Sequence, residues 1–192
     1  MPYLSILAFG DSLTAGYGLA PDQAFPRQLE GLLRAALPGS VVVNAGVSGD
    51  TSAAGLARLP RVLQRLSGKP DLAIVELGAN DLIRGVAPER MQANLDAILT
   101  EFSRCGIPVL LAGMWAPPFL GAMSVRYNQV FPTLAKAHRV PLYPFFLAGV
   151  AGDPTLTLRD RIHPTGEAIG IVARRILPHV KAALAAGERR AA

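Results

Sequence analysis

Short apolar runs alternate along the chain with stretches in which apolar side chains recur every three or four positions. The first run, Leu4 to Phe9, stops at Gly10 and is followed by Asp11-Ser12-Leu13-Thr14, which suits a buried strand delivering its chain into a strand-to-helix turn. From Phe25 to Leu37, Leu29, Leu32, Leu33 and Ala36 share a helical face that Pro38-Gly39 ends. Val41-Val42-Val43 predicts a second strand, and the turn-rich Asn44 to Thr51 leads to a helix carrying Leu56, Leu59, Leu63 and Leu66. Leu72 to Glu76 predicts a third strand, Leu77 to Asp81 a loop, and Met91, Leu95, Ile98 and Phe102 the apolar stripe of the next helix. Val109 to Ala112 predicts a fourth strand, with a helix around Val125 to His138, and Val140 to Phe146 a short fifth. Ile169, Val172, Ile176, Val180 and Leu184 mark a last helix from about Gly166 to Ala185, with Pro178 placed to bend it.

Strands separated by whole helices cannot pair as hairpins, so they are expected to form a parallel sheet with helices on both faces. The expected fold class is α/β, a three-layer α/β/α sandwich around a flavodoxin-like parallel sheet of about five strands. A length of 192 residues, half of them hydrophobic, suits one well-buried core, and no linker or repeat divides residues 1–192 into more than one domain. The net charge of +5 comes from scattered residues, with only Arg174-Arg175 and Arg189-Arg190 adjacent, so nucleic acid is not an expected partner. No apolar stretch reaches the ~18 residues of a membrane span, and a soluble chain is expected. Strand-like sequence from Leu4 leaves no leader, which reads as cytoplasmic, or as periplasmic or secreted if a leader has been removed. The lone Cys105 excludes an internal disulfide and reads as a core residue at a helix end. The Ala-rich, charged tail from Ala182 reads as a fraying helix end.

In such a sheet the loops after the strands converge on one edge, where ligands bind. Ser12 is either a nucleophile at that edge or the cap of the helix that follows. A serine nucleophile needs an oriented base. Of the three histidines, His138 lies in a surface-like Lys-Ala-His-Arg run and His179 inside the last helix. His163 stands in a turn, three residues after Asp160, a spacing that lets the carboxylate reach Nδ1 and leaves Nε2 for Ser12; an ordinary polar turn before a helix has the same residues. The oxyanion formed by attack on a carbonyl needs donors, for which the candidates are the N–H groups of Ser12 and Gly46 and the Asn80 amide. Taken singly, Gly46 also reads as a turn glycine and Asn80 as a capping residue.

With these residues in place the chain resembles the SGNH hydrolases, or GDSL esterases and lipases. The family's blocks stand in order as Phe9-Gly10-Asp11-Ser12-Leu13, Asn44-Ala45-Gly46-Val47-Ser48-Gly49-Asp50-Thr51, Gly78-Ala79-Asn80-Asp81 and Asp160-Arg161-Ile162-His163-Pro164. Val75-Glu76-Leu77-Gly78 and Tyr143-Pro144-Phe145-Phe146, among other runs, look like the bacterial branch of acyl-CoA thioesterases, lysophospholipases and arylesterases. The resemblance implies Ser12 as nucleophile, His163 as base, Asp160 as its orienting carboxylate, and Ser12, Gly46 and Asn80 as oxyanion donors. It implies a small-molecule ester or thioester as substrate. Ala79 stands where the family commonly has glycine.

The elbow Gly-x-Ser-x-Gly of ordinary α/β-hydrolases is absent, because Thr14 occupies its second glycine position. No cofactor and no metal are expected, since the sequence shows no evident cluster of His, Cys and carboxylates. Leu77, Gly78, Trp115, Pro117 and Phe119 are the candidate substrate-binding residues; the apolar loop from Trp115 to Leu120 walls an acyl groove or packs on itself. Two other functions use the same edge: a phosphate- or nucleotide-binding module, disfavoured by the missing Gly-rich signatures, and a sugar deacetylase of the same superfamily.

Overall fold

The computed structural model describes residues 4–191. Its elements run β1 (Ser5–Gly10), α1 (Ser12–Ala15), α2 (Phe25–Arg34), β2 (Val41–Gly46), α3 (Ser52–Gln64), β3 (Leu72–Glu76) and α4 (Ala79–Ile83). They continue with α5 (Pro88–Arg104), β4 (Val109–Ala112), α6 (Ala122–His138), β5 (Leu142–Tyr143) and α7 (Gly166–Ala191). Three short 3₁₀ turns join them, at Pro21–Gln23, Pro118–Leu120 and Pro154–Leu156.

The five strands form one parallel sheet in the order β2-β1-β3-β4-β5. Period-two alternation splits each central strand between two cores. Ile6, Ala8, Ile74 and Leu110 face a core closed by α2 and α7, through Phe25, Leu29, Ile169, Val172 and Ile176. Leu7, Phe9, Val75 and Leu111 face the other, closed by α3, α5 and α6 through Leu59, Leu95, Phe102 and Phe131. The three expected layers are therefore present. Edge-to-face rings lock each side: Phe25 with Phe146, centroids 4.9 Å apart, and Phe9 with Phe102 at 5.9 Å.

Several boundaries differ from the sequence pattern for local reasons. The fifth strand shrinks to Leu142–Tyr143, because Gly113 N–H and Tyr143 C=O close the ladder and Phe146 then turns back to Gly113 C=O. The last helix runs through Pro178 to Ala191, past the expected end at Ala185. The Arg189-Arg190 pair lies outside the residues whose side chains are described. Of the predicted stripe on α3 only Leu59 is fully buried; Leu56, Leu63 and Leu66 pack at its margin. Cys105 caps the C-terminus of α5, half-buried against the second core. Pro26 and Pro88 open α2 and α5, where a missing N–H costs nothing. The order β2-β1-β3 makes a topological switch between the first and third strands. The loops after β1 and β3, carrying Ser12 and Asn80, consequently start side by side.

Candidate active site

Ser12 is the first residue of α1, and the residue before it decides what its hydroxyl is for. Asp11 caps the helix, its Oδ1 accepting the Leu13 N–H at 3.0 Å. The Ser12 side chain is thereby left out of the capping role, and its Oγ lies 2.9 Å from His163 Nε2. Gly10 is required by crowding: a Cβ there would stand 2.2 Å from Thr14 Oγ1 and 2.6 Å from the Glu76 carbonyl. Thr14, in turn, donates its hydroxyl to Glu76 Oε2 at 2.7 Å, so it ties α1 to the end of β3.

His163 is presented by a closed loop. Leu158 N–H donates to His163 C=O at 2.7 Å, Thr165 N–H to Leu156 C=O at 2.9 Å, and Thr157 bridges Pro164. Asp160 organises the turn inside it, with Oδ1 accepting the N–H groups of Ile162 and His163 at 3.0 Å each and Oδ2 contacting His163 Nδ1 at 2.6 Å. A carboxylate that accepts the Nδ1 proton fixes the tautomer with a lone pair on Nε2, facing Ser12. The backbone donors, and after them the His163 ring, lower the Asp160 pKa to about 2. The Tyr17 ring lies over the imidazole, 4.4 Å between centroids at 36°. The other histidines are occupied elsewhere: His138 Nε2 contacts Asp96 Oδ1 at 2.7 Å, and His179 packs edge-on to Tyr143.

Beneath the serine lies a pair of buried carboxyls, Asp11 and Glu76, that the sequence pattern did not single out. Burial, followed by the nearby Asp11 charge, drives the Glu76 pKa well up, and its Oε1 has no hydrogen-bond partner among the described residues. Asp11 is raised to about 6, again chiefly by burial, against the pull of the Leu13 N–H and the Asn80 amide. Asp11 is the better solvated of the two by the protein, its Oδ1 accepting the Leu13 N–H and its Oδ2 the Asn80 amide at 3.0 Å each. A raised folded-state pKa means that the native state holds a proton the unfolded chain has released, so this group's contribution to stability fades as pH climbs from roughly 4 to roughly 6. The stability of Asp11→Asn relative to the wild type is therefore expected to increase across that window, as measured by urea unfolding at a series of pH values.

Two of the three expected oxyanion donors already have acceptors in the resting site. Gly46 N–H is already committed, donating at 2.9 Å to Asn44 Oδ1, while Asn44 Nδ2 holds the Ala15 carbonyl at 3.2 Å. Gly46 is instead a spacer, since a Cβ there would meet Ala15 N at 2.3 Å and push α1 off the end of β2. Gly49, three residues on in the same block and not among the residues the sequence reading singled out as donors, has a φ of +85°, and its N–H donates to no acceptor among the described residues. Its carbonyl is held by Arg84 at 2.8 Å. Asn80 is at the same edge, half-buried, with Nδ2 donating to Asp11 Oδ2 and to the Asp50 carbonyl at 3.0 Å each. Two acceptors on one nitrogen fix which way the amide faces, and they engage both of its protons in the resting site. Asp50 is braced by Arg58, whose guanidinium also holds Gly10 C=O at 2.9 Å and covers the Phe9 ring.

Two candidate substrate-binding residues are not at a surface. Leu77 is fully buried and touches the space a Cβ on Gly55 would fill, so it is core. Gly78 is also buried, at φ +123° under Met91 and Phe131, where its role is the tight exit from β3. Trp115, Pro117 and Phe119 stand on the loop after β4. Trp115 is exposed and stacked on Phe145 at 4.9 Å, Pro117 is half-buried, and Phe119 is exposed.

A serine hydroxyl held by an imidazole, itself held by a carboxylate, at the carboxyl edge of an open parallel sheet is the constellation of a serine hydrolase. The chain belongs to the GDSL-like lipase/acylhydrolase family, whose profile matches residues 8–168. It is 38% identical to esterase TesA of Pseudomonas aeruginosa over 92% of this chain and 88% of that one. It is also 38% identical to thioesterase 1/protease 1/lysophospholipase L1 of Escherichia coli K12, over 88% of this chain and 79% of that one. Among solved structures, AlinE4, an SGNH-hydrolase family esterase, superposes with a TM-score of 0.81 at 46% identity, covering 96% of this chain and 98% of the other.

Proposed function

We propose that the chain hydrolyses carboxylic esters, and thioesters of similar acyl groups, by two-step acyl transfer. Ser12 Oγ attacks the carbonyl carbon while His163 Nε2 takes its proton, and Asp160 stabilises the resulting imidazolium. The tetrahedral intermediate collapses as His163 returns that proton to the departing alcohol or thiol, leaving an acyl group on Ser12. Water then repeats the sequence, with His163 as base, and the acid leaves. The Ser12 N–H, at the open start of α1, and the Asn80 amide supply oxyanion donors, and Gly49 N–H replaces Gly46 in that role. The observation that carries the reading is the continuous relay Ser12 Oγ–His163–Asp160, with contacts of 2.9 and 2.6 Å.

A panel of p-nitrophenyl esters of increasing chain length, palmitoyl-CoA and acetylated xylan tests it. Turnover of the aryl esters is expected, and turnover of the CoA thioester extends the substrate class. Turnover of xylan alone would replace the reading with sugar deacetylation, and no turnover at all would replace it with a binding module.

Asn80 tests the oxyanion site separately. To reach the oxyanion one amide proton must leave Asp11 or the Asp50 carbonyl, an exchange that makes the bond stronger in the transition state than in the ground state. Asn80→Ala is expected to lower kcat by roughly 10²–10³ with little change in KM. Steady-state kinetics on a p-nitrophenyl ester, beside a thermal melt, checks it; loss of binding at unchanged kcat would assign Asn80 a purely structural part.

A further inference from the structure

Ten large apolar side chains stand exposed among the described residues, and nine of them lie on the edge that carries Ser12. Each loop leaving the carboxyl end of the sheet contributes: Tyr17 after β1, Val47 after β2, Ile83 in α4 after β3, Trp115 and Phe119 after β4, and Ile162 beside His163. The exception, Leu37, ends α2. Scattered exposed apolar residues are normal on any protein, but their concentration on one edge is not. They come from every loop at that edge rather than from the one after β4, so an acyl groove walled by that loop accounts for some of them and leaves Val47, Ile83 and Ile162 over.

The most exposed of them is also firmly mounted. Phe119 is 84% exposed, yet the base of its loop is tied down by Ala116 N–H donating to Asn128 Oδ1 at 2.7 Å and by Ser124 Oγ donating to Ala116 C=O at 2.8 Å. Trp115 is held the same way by its stack on Phe145. The same edge carries arginines free of ion pairs among the described residues, whereas two of its exposed acids are engaged, Asp160 by His163 and Glu89 by Arg126. Arg159 and Arg161, both exposed and in no ion pair among the described residues, flank the His163 turn and line an open cleft of about 660 Å³ with Thr157. Arg84 stands beside Ile83, and the loop from Gly113 to Gly121 holds no acid.

We propose that this edge docks on an anionic lipid surface, with the aromatic and aliphatic side chains entering the headgroup boundary and the arginines against lipid phosphates. Apolar rings with cationic neighbours are what such a surface binds, and the arrangement presents Ser12 toward the bilayer. Docking goes beyond the esterase reading and does not require hydrolysis.

The test uses Ser12→Ala, which leaves the vesicles intact and keeps failure of docking distinct from failure of the hydrolase assignment. Trp115 is the only tryptophan in the chain, so its emission reports this edge alone. Titration with vesicles of phosphatidylglycerol and phosphatidylcholine is expected to shift that emission to the blue and to float the protein with the vesicles. Phosphatidylcholine alone is expected to bind at least about tenfold more weakly, and added salt to weaken the anionic case. Adding Met123→Asp and Val125→Asp, exposed in the first turn of α6, is expected to weaken docking by a further factor of about ten, while the same pair in the catalytic protein leaves p-nitrophenyl acetate turnover within about twofold. No blue shift or flotation with anionic vesicles overturns the proposal, as do equal binding to neutral vesicles, unaltered docking by the aspartate pair, or a concentration-dependent shift without lipid, which would make the occupant a second copy of the chain.

Discussion

Ser12→Ala is expected to abolish ester hydrolysis, with kcat falling by about 10⁴- to 10⁶-fold, while the protein melts close to the wild-type temperature. That loss corresponds to roughly 5–8 kcal/mol of transition-state stabilisation. The two halves of the expectation have different physical sources. Activity depends on Oγ because no other hydroxyl contacts His163 Nε2 among the described residues. Folding does not, because the cap of α1 is supplied by Asp11 and the anchor of the turn by Thr14 on Glu76. Alanine at the first helical position keeps the backbone conformation, and among the described residues the only side-chain hydrogen bond lost is the one to the imidazole. A fluorophosphonate that labels another residue, or activity that persists in the purified variant, would move the nucleophile elsewhere.

The second large effect separates Asp160 from the buried acids nearby. Asp160→Asn keeps an oxygen for the N–H groups of Ile162 and His163, so the turn survives, but it turns an amide toward Nδ1. The ring then takes the tautomer with its proton on Nε2, which cannot accept from Ser12, and kcat is expected to drop by roughly 10³–10⁴. His163→Ala is expected to match it, whereas His138→Ala and His179→Ala keep nearly full activity. The pH profile adds a constraint. With its folded-state pKa lowered to about 2, Asp160 is ionised throughout the working range, and the stability it contributes is lost only as pH falls from roughly 4 toward 2. The acid limb of kcat/KM therefore does not belong to Asp160, whereas Asp11, raised to about 6, titrates within the range in which it falls. If Asp160→Asn is harmless while Asp11→Asn, Asp50→Asn or Asp81→Asn is inactive and folded, the relay must be redrawn around that acid.

Much of this protein is determined along the chain itself. β3 and β4 match the predicted runs Leu72–Glu76 and Val109–Ala112, because a strand buried on both faces has to be apolar at successive positions, and that shows in any short window. The stripe Met91, Leu95, Ile98 and Phe102 marks α5 by the same logic at helical period. Asp160 and His163 were legible because their partnership is local, three residues within one turn.

What only the tertiary structure decided is where groups far apart in the chain compete for the same proton or the same space. Gly46 looked like a donor and is a spacer, because Asn44 takes its N–H and Ala15 takes its volume. Leu77 looked like a groove residue and is core, because α3 brings Gly55 against it. The Asp11–Glu76 pair and the double engagement of Asn80 arise only where β1 and β3 lie side by side at the switch point. Periodicity and motif spacing report what each residue prefers locally. A hydrogen bond has one proton and a buried site one volume, and which of several distant claimants holds them is settled when the sheet assembles.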